Sequence, residues 1–260
     1  MSGGVRLRDK AVIVTGSTTG IGRAIAERCV AEGARVLVHG LERADGEAVV
    51  RALGPSAVLH VDDLADPDAA DRVVDAAVRA FGGVDALVNN AAAVVRSNIG
   101  TTSAQFFDRV VAVNTRAPLL LVKRALPHLK RSHGCVLNIG SINAYCGEPD
   151  LLDYSISKGA LMTMSRNLAN ALGTEHVRVN QLNLGWVLTP NEDALQRRLG
   201  QPEGWHEHVP AAFAPSGRLL TPEHIAAAAV YWLGDESRPI SGSVVELEQF
   251  PVIGRNPKKV

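Results

Sequence analysis

The sequence has no charge imbalance and no long apolar run, and each of these absences excludes a class of protein. Lysine plus arginine and aspartate plus glutamate both number 27 among the 260 residues, so no net field would draw the chain to nucleic acid or to an anionic membrane. No apolar stretch is long enough to span a bilayer, and residues 1–10 lack the apolar run of a secretory signal peptide. We therefore expect small molecules and copies of this chain as partners.

Cysteine and metal-binding patterns are equally sparse. Cys29, Cys135 and Cys146 are odd in number and form no C-x-x-C pair, and the eight histidines are scattered without ligand spacing. These features predict a reduced, cytoplasmic protein without a structural metal.

Short β-branched runs alternate with segments of helical period. This βαβα pattern predicts an α/β fold, in which a parallel sheet is covered by helices on both faces in three α/β/α layers. A chain of 260 residues can bury one large core, so we expect a single domain over residues 1–260. The candidate strands are residues 11–15, 35–39, 57–61, 86–89, 135–139, 178–182 and 243–247.

Two other segments carry local signals. Asp66 can cap a helix with Pro67 in its first turn, and Gly82 and Gly83 would end that helix. Residues 190–215 are irregular and rich in proline, glycine and polar residues, which predicts a substrate lid at about 188–215. A tolerated surface insertion is the alternative.

A glycine-rich turn, T-G-S-T-T-G-I-G, follows the first strand and precedes a helical pattern. A strand, such a turn and a helix start would place backbone N–H groups and the positive end of the helix dipole around a pyrophosphate. An ordinary tight turn between strand and helix is the alternative. The residues of the turn expected to touch the cofactor are Gly16, Thr18, Thr19, Gly20, Ile21 and Gly22.

Tyr154 and Lys158 lie four residues apart in Y-S-I-S-K, so on a helix they would face one cavity. A nearby ammonium favours phenolate, which would let Tyr154 accept the proton of an alcohol. Ser141, directly after the fifth strand, would hydrogen-bond the substrate oxygen. Asn114 could hold a water that links Lys158 to solvent, although a buried asparagine that bonds backbone is the alternative.

The glycine turn, the N-N-A-A run that begins at Asn89, Asn114, Ser141 and the Y-x-x-x-K pair together resemble the short-chain dehydrogenase/reductase family from Lys10 to about Leu247. The resemblance implies a Rossmann-like sheet of seven parallel strands, a catalytic triad with Asn114 as fourth member, and a homo-oligomer, commonly a tetramer. It implies NAD or NADP as cofactor and hydride transfer to or from a secondary alcohol. The further cofactor contacts implied or expected are Leu41, Glu42, Asp63, Leu64, Asn90, Ala91, Val187 and Thr189, with Tyr154 and Lys158.

The cofactor is expected to be NAD rather than NADP. By alignment to the family, Gly40 stands where an acidic residue selects NAD, Leu41 stands where an arginine selects NADP, and Thr19 adds no basic clamp. Arg43 or His39 could reverse this preference by swinging in. Asp63 is expected to receive the adenine amine, with Asp62 as the alternative.

The chain departs from the family pattern at Ala92, at Leu184 and at Glu248–Phe250, where the family usually has glycine, proline and Asp-Gly-Gly. None of these changes removes a catalytic group. The third opens the C-terminal tail, at about residues 248–260, and precedes an unusually apolar stretch at residues 251–256. We expect this apolar tail to pack on a neighbouring subunit or beside its active site.

The residues expected around the substrate mix amide, carboxylate, indole and imidazole groups. This mixture suits a sugar or cyclic polyol, because hydroxyl groups need polar partners and sugar faces stack on aromatic rings. A 3-oxoacyl carrier-protein reductase or a hydroxy-acid dehydrogenase is the alternative, with Arg96, Arg197 and Arg198 as a basic approach surface. An isomerase or dehydratase that retains its cofactor, or a non-catalytic sensor, are further rivals. The expected substrate residues are Asn143, Tyr145, Glu148, Trp186, Trp205 and His206, with Ala93 and Val95.

Overall fold

A computed structural model describes residues 5–253 of the chain. Within this range seven parallel strands form one sheet in the order β3-β2-β1-β4-β5-β6-β7. The strands are β1 (Ala11–Val14), β2 (Arg35–Gly40), β3 (Ala57–Val61), β4 (Ala86–Asn89), β5 (Cys135–Ser141), β6 (Arg178–Leu184) and β7 (Val244–Leu247).

Eight α-helices in the described range connect and cover these strands. A π-helical turn, Ala112–Arg116, joins the fourth helix to the fifth. The helices are α1 (Gly20–Ala31), α2 (Arg43–Leu53), α3 (Ala69–Phe81), α4 (Ala104–Val111), α5 (Ala117–Ser132), α6 (Leu152–Leu172), α7 (Pro190–Arg198) and α8 (Pro222–Leu233).

The core lies in two layers, one on each face of the sheet, because successive strand side chains point to opposite faces. Val12 and Val14 of β1 pack with Ile25 of α1 and Ile225 of α8 on one face. Ile13, between them, faces the opposite layer, which contains apolar residues of α3, α5 and α6. The predicted three-layer, Rossmann-like fold with seven parallel strands is therefore confirmed.

The predicted strand limits differ from the observed ones by at most two residues, since β5 and β6 each run two residues further. The predicted start of α3 was wrong. The Asp66 carboxylate accepts a hydrogen bond from the Asp68 backbone N–H at 3.0 Å, which forms a turn around Pro67, and the helix begins only at Ala69. Gly82, with a φ of 83°, ends this helix as predicted.

The order of the strands fixes where a ligand can bind. The chain moves outward from β1 to β3 and then returns to the other side of β1 at β4, so a crevice opens at the carboxyl ends of β1 and β4. Of the apolar tail, Gly254, Arg255 and Asn256 lie outside the described residues. No helix within residues 5–253 is both long and apolar enough to cross a membrane.

Candidate active site

One large cavity, of about 1180 Å³, occupies the crevice at the carboxyl edge of the sheet. A residue at the end of each strand or within two positions after it contributes to the cavity wall, from Gly16 after β1 to Glu248 after β7. All residues expected to hold the cofactor line it, as do Ser141, Tyr154 and Lys158. The topology thus brings the predicted cofactor and catalytic groups to one place.

The glycine turn after β1 is built by close packing. Gly16 has a φ of 62°, and a Cβ added there would lie 2.8 Å from the Ala91 Cα atom. A Cβ on Gly22 would lie 2.2 Å from the carbonyl oxygen of Gly16, so the start of α1 rests directly on the turn. Thr19, at the N-terminus of α1, makes no side-chain capping bond to the first helical N–H groups. These groups remain available to an anion, as a pyrophosphate-binding turn requires.

Asn90 supports this turn through its side chain. Its Nδ2 donates to the carbonyl oxygens of Thr15 at 2.9 Å and Gly16 at 3.0 Å. The family resemblance implied that Asn90 contacts the cofactor, at the ribose of its nicotinamide half. In the structure the amide nitrogen is used to hold the shape of the turn.

Ser141, Tyr154 and Lys158 come together from two elements. Ser141 ends β5 and lies close enough to the Tyr154 side chain to lower its pKa, while α6 presents Tyr154 and Lys158 to the same cavity. Lys158 is 2% exposed, and its Nζ donates to the Ile139 carbonyl oxygen at 2.7 Å. That Nζ lies 5.6 Å from the centre of the Tyr154 ring, so ammonium and phenol are neighbours without a direct bond.

Burial dominates the titration of both groups. It raises the pKa of Tyr154 to about 12, against the lowering effect of the Ser141 hydrogen bond. It also lowers the pKa of Lys158 to about 8. The expected phenolate-stabilising effect of Lys158 does not prevail here, because the ammonium donates to Ile139 and not to the phenol. In the protein without bound ligands Tyr154 is a neutral phenol at pH 7, ready to act as an acid.

Asn114 lies behind the cavity wall. It sits in the π-helical turn and is 1% exposed. Its Oδ1 accepts from the Ala93 backbone N–H at 2.7 Å, and its Nδ2 donates to the Ala93 carbonyl at 3.1 Å and to Ser157 Oγ at 2.9 Å. The side chain thus joins the loop after β4 to α6, one residue before Lys158. These bonds to the Ala93 backbone match the backbone-bonding alternative.

The opposite end of the cavity, at β2 and β3, is acidic. Glu42, Asp45, Asp62 and Asp63 line it. Arg109 also lines it, but its guanidinium forms an ion pair with Asp63 at 2.9 Å.

Asp62 and Asp63 differ in how many hydrogen bonds their carboxylates already accept within the protein. Arg72 binds both oxygens of Asp62, at 2.7 and 2.8 Å, and these hydrogen bonds lower the pKa of Asp62 to about 2. Asp63 accepts one bond from the Ala65 N–H and one from Arg109. Asp63 therefore keeps more accepting capacity toward the cavity, which agrees with its preferred role at the adenine amine.

Neither of the two groups that could have admitted a 2′-phosphate supplies a cation to the cavity, although His39 lines it. Arg43 lies 3.9 Å from Glu47 on α2 and does not line the cavity. His39 is 2% exposed, and burial lowers its pKa to about 4, so it is neutral at pH 7. A Cβ on Gly40 would lie 2.5 Å from Thr18 Cγ2, so Thr18 fills the space in which an acidic side chain at position 40 would begin.

Only some of the residues predicted to contact the substrate line the substrate side of the cavity. Asn143, Glu148, Trp186 and Ala93 line it. Trp205 is 6% exposed and packs in a small core with Ala214 and Leu219, so it stabilises the lid segment from within. The residues placed outside the cavity lining are Trp205, Tyr145, His206 and Val95.

Sequence reasoning missed several residues that line the cavity. Leu195, Gln196, Phe213 and Phe250 line the cavity, and Arg109 reaches its acidic end from α4. No local pattern marks them, because each meets the cavity only through the way its segment folds back over the sheet. Phe250 was noted only as a departure from the family pattern.

A parallel sheet, an uncapped helix start beside a glycine turn, and a tyrosine–lysine pair in one cavity define a dinucleotide-dependent oxidoreductase. A family model described as enoyl-(acyl carrier protein) reductase matches residues 16–248. The chain belongs to the short-chain dehydrogenase/reductase family of NAD(P)-dependent oxidoreductases.

Individual relatives span almost the whole chain. The NADP-dependent (R)-specific alcohol dehydrogenase of Lentilactobacillus kefiri is 32% identical over 244 residues, which cover 92% of this chain and 94% of that enzyme. The L-fucose dehydrogenase of Bos taurus is 35% identical over 232 residues, 89% of this chain and 85% of that enzyme. A crystal structure of the 3-ketoacyl-(acyl-carrier-protein) reductase of Brucella melitensis complexed with NADH superposes with a TM-score of 0.82 at 29% identity, covering 93% of this chain and 97% of that one.

Proposed function

We propose that this protein is an NAD-dependent dehydrogenase that interconverts a secondary alcohol of a sugar or polyol and the corresponding ketone, with Tyr154 as acid/base. The observation that carries the proposal is the convergence of Ser141, Tyr154 and Lys158 on the cofactor cavity, with Lys158 Nζ 5.6 Å from the centre of the Tyr154 ring. The nicotinamide, when bound, exchanges a hydride with the carbinol carbon of the substrate.

Tyr154 handles the proton of this reaction. In the direction of reduction its phenol donates a proton to the developing alkoxide, and in oxidation the phenolate takes the alcohol proton. Ser141 holds the substrate oxygen next to the Tyr154 hydroxyl. With a pKa of about 12 the phenol is protonated at neutral pH, so alcohol oxidation should accelerate as the pH rises.

The acidic lining at β2 and β3 supports NAD as the cofactor. A 2′-phosphate is a dianion and needs a cation, whereas Glu42, Asp45 and Asp63 at this end would repel it. The guanidinium of Arg109 is already paired with Asp63. A 2′-hydroxyl, in contrast, can donate to a carboxylate.

The charge of the substrate side favours a neutral, hydroxylated substrate over an anionic one. Glu148 and Glu248 line the cavity. Arg96 also lines it, but lies within 4.0 Å of Glu148 and Asp150. Trp186 offers an aromatic face beside these polar groups.

The acyl-carrier alternative requires a basic approach surface, and the expected one is largely neutralised. Arg197 forms an ion pair with Asp193 at 3.0 Å, in addition to the pairs of Arg96. The similarity to a bovine L-fucose dehydrogenase adds weight to a sugar substrate.

We further propose that the protein acts as a homotetramer in the cytoplasm. Leu119 of α5 and Ile156 of α6 are 45% and 47% exposed, as apolar residues at a subunit interface would be in an isolated chain. Light scattering coupled to size-exclusion chromatography measures the assembly directly, and a monomer at micromolar concentration would contradict it.

The test of the reaction is the change in absorbance of the reduced nicotinamide on mixing the protein with NAD or NADP and a panel of sugars, polyols, hydroxy acids and simple secondary alcohols. The proposal predicts turnover of a sugar or polyol with NAD preferred. Turnover confined to 3-oxoacyl substrates or hydroxy acids would contradict the substrate class, and a preference for NADP would contradict the cofactor. Cofactor binding without any turnover would favour the sensor.

A further inference from the structure

The three residues that follow β7, Glu248–Phe250, reach both ends of the lid segment, residues 188–215. At the near end, Glu248 Oε2 accepts from the Trp186 backbone N–H at 3.2 Å. The carboxylate lies so close to the backbone that a Cβ on Gly185 would be 1.7 Å from it. The start of the lid segment is thus held against the end of the sheet.

Gln249 holds the far end. Its Oε1 accepts from both the backbone N–H of Ser216, at 3.0 Å, and the Ser216 hydroxyl, at 2.6 Å. Its Nε2 donates to the Arg218 carbonyl at 2.8 Å. One side chain therefore makes three hydrogen bonds to the stretch that immediately follows the lid segment.

The lid segment between these anchors has internal order of its own. The Trp186 indole donates to Glu192 at 2.9 Å, and the Trp205 indole donates to Asp193 at 3.0 Å. The two indole rings lie 5.5 Å apart, and Trp205 is buried with Ala214 and Leu219. A segment with its own small core moves as a unit, so its position over the cavity depends on the contacts at its two ends.

We propose that Gln249 is a positioning residue that holds the lid segment over the substrate side of the cavity and thereby sets which substrates fit. The walls that depend on it are Leu195, Gln196 and Phe213, which the lid segment contributes to the cavity, while Phe250, next to Gln249, closes the same space. We call the three hydrogen bonds from Gln249 to Ser216 and Arg218 the clasp. The clasp narrows the substrate side of the cavity and favours a compact ring over a long chain as substrate. The part of this inference that concerns substrate rests on the proposed function, whereas the clasp itself does not.

Trypsin sensitivity measures the clasp without any substrate. Arg197 and Arg198 in the lid segment and Arg218 behind it are exposed cleavage sites, and cleavage of a folded protein follows the population of the opened segment. Loss of three hydrogen bonds at a half-exposed site should increase that population roughly fivefold to tenfold, and the cleavage rate with it.

The variant is Gln249→Ala and its matched control is Gln201→Ala, an exposed glutamine of the lid segment for which the structure shows no side-chain hydrogen bond. The clasp predicts faster cleavage in Gln249→Ala and wild-type cleavage in Gln201→Ala, with unchanged far-UV circular dichroism in both. Gln249→Glu, which keeps an acceptor for Ser216 but loses the donor to Arg218, should lie between them. Equal cleavage of all variants and wild type would overturn the proposal.

Kinetics then test the effect on substrate. Gln249→Ala should raise KM for a sugar or polyol by about threefold or more, since the competent lid position is less populated, and leave kcat and the Kd for NAD within about twofold. Longer-chain secondary alcohols should gain relative to the sugar. An unchanged KM and an unchanged substrate preference would refute the role in specificity. If no sugar or polyol is turned over by the wild type, the proposed function fails, while the cleavage result still decides whether the clasp exists.

Discussion

Replacement of Lys158 by methionine should stabilise the protein while abolishing its catalysis. Lys158 is 2% exposed, and burial lowers the pKa of its ammonium from 10.5 to about 8. Each pKa unit corresponds to about 1.4 kcal/mol, so keeping this lysine protonated in the folded state costs on the order of 3 kcal/mol. Methionine matches the length of the aliphatic part of the lysine side chain and lacks the ammonium. It leaves the Ile139 carbonyl without its donor, which reduces the gain in stability by about 1 kcal/mol.

The effect should depend on pH in a defined direction. Below pH 8 the lysine is protonated in both the folded and the unfolded states, so the full cost of burying the charge is present. Between pH 8 and 10.5 the folded state loses its proton first, and the cost is progressively relieved. The stability gain of Lys158→Met should therefore be largest near neutral pH and decline as the pH rises above 8.

Thermal unfolding of the protein without cofactor, at pH 7 and at pH 10, provides the assay. We expect the Tm of Lys158→Met to exceed that of wild type at pH 7 by about 2 to 6 °C, and the difference to shrink at pH 10. Lys123→Met, at an exposed position of α5, is the matched control and should change the Tm little at either pH. A lower Tm at pH 7, or a gain that is the same at both pH values, would refute the reasoning.

Two further substitutions test the cofactor end of the cavity. Gly22→Ala should weaken NAD binding by at least about tenfold, because its Cβ would lie 2.2 Å from the Gly16 carbonyl oxygen and would displace the turn from the start of α1. Calorimetric titration with NAD measures this affinity. An affinity equal to that of wild type would contradict the role of the turn. Leu41 lines the cavity and is 57% exposed. Leu41→Arg should raise kcat/KM for NADP relative to NAD by about tenfold or more, because the arginine supplies the missing cation. A ratio equal to that of wild type would show that the 2′-phosphate does not lie near this residue.

Local periodicity was sufficient to predict the sheet. The alternation of Val12, Ile13 and Val14 places successive side chains in opposite core layers, and each strand was predicted within two residues of its observed limits. The start of α3 was missed because the Asp66 carboxylate competes for a backbone N–H and forms a turn, an outcome that a capping pattern alone does not exclude.

The catalytic side chains were predictable because their chemistry depends on short spacings and strand ends. The Y-x-x-x-K pair lies on one helix, and Ser141 ends a strand. The substrate side was predicted less well because its contacts join distant parts of the chain. Trp205 was expected at the substrate, but the structure shows it in the small core of the lid segment. The contact between Gln249 and Ser216 spans 33 residues, and no local pattern connects the two.

The titration of the site also required the fold. The sequence indicated a lysine four residues from a tyrosine, and hence a phenol with a lowered pKa. The structure shows that burial raises the pKa of Tyr154 to about 12 and that Lys158 donates to Ile139. Which effect prevails depends on desolvation and on the direction of one ammonium group, and neither can be read from spacing.

The measurement that tests the central claim most directly compares wild type with Tyr154→Phe in two assays, NAD binding and hydride transfer with the substrate that the panel identifies. The substitution removes only the Tyr154 hydroxyl, which faces the cavity that also contains Ser141 and Lys158. The account predicts that NAD binds with wild-type affinity while turnover falls by at least about a hundredfold, since acid/base catalysis contributes that much or more. Turnover close to wild type in Tyr154→Phe would contradict the assignment of Tyr154 as the acid/base.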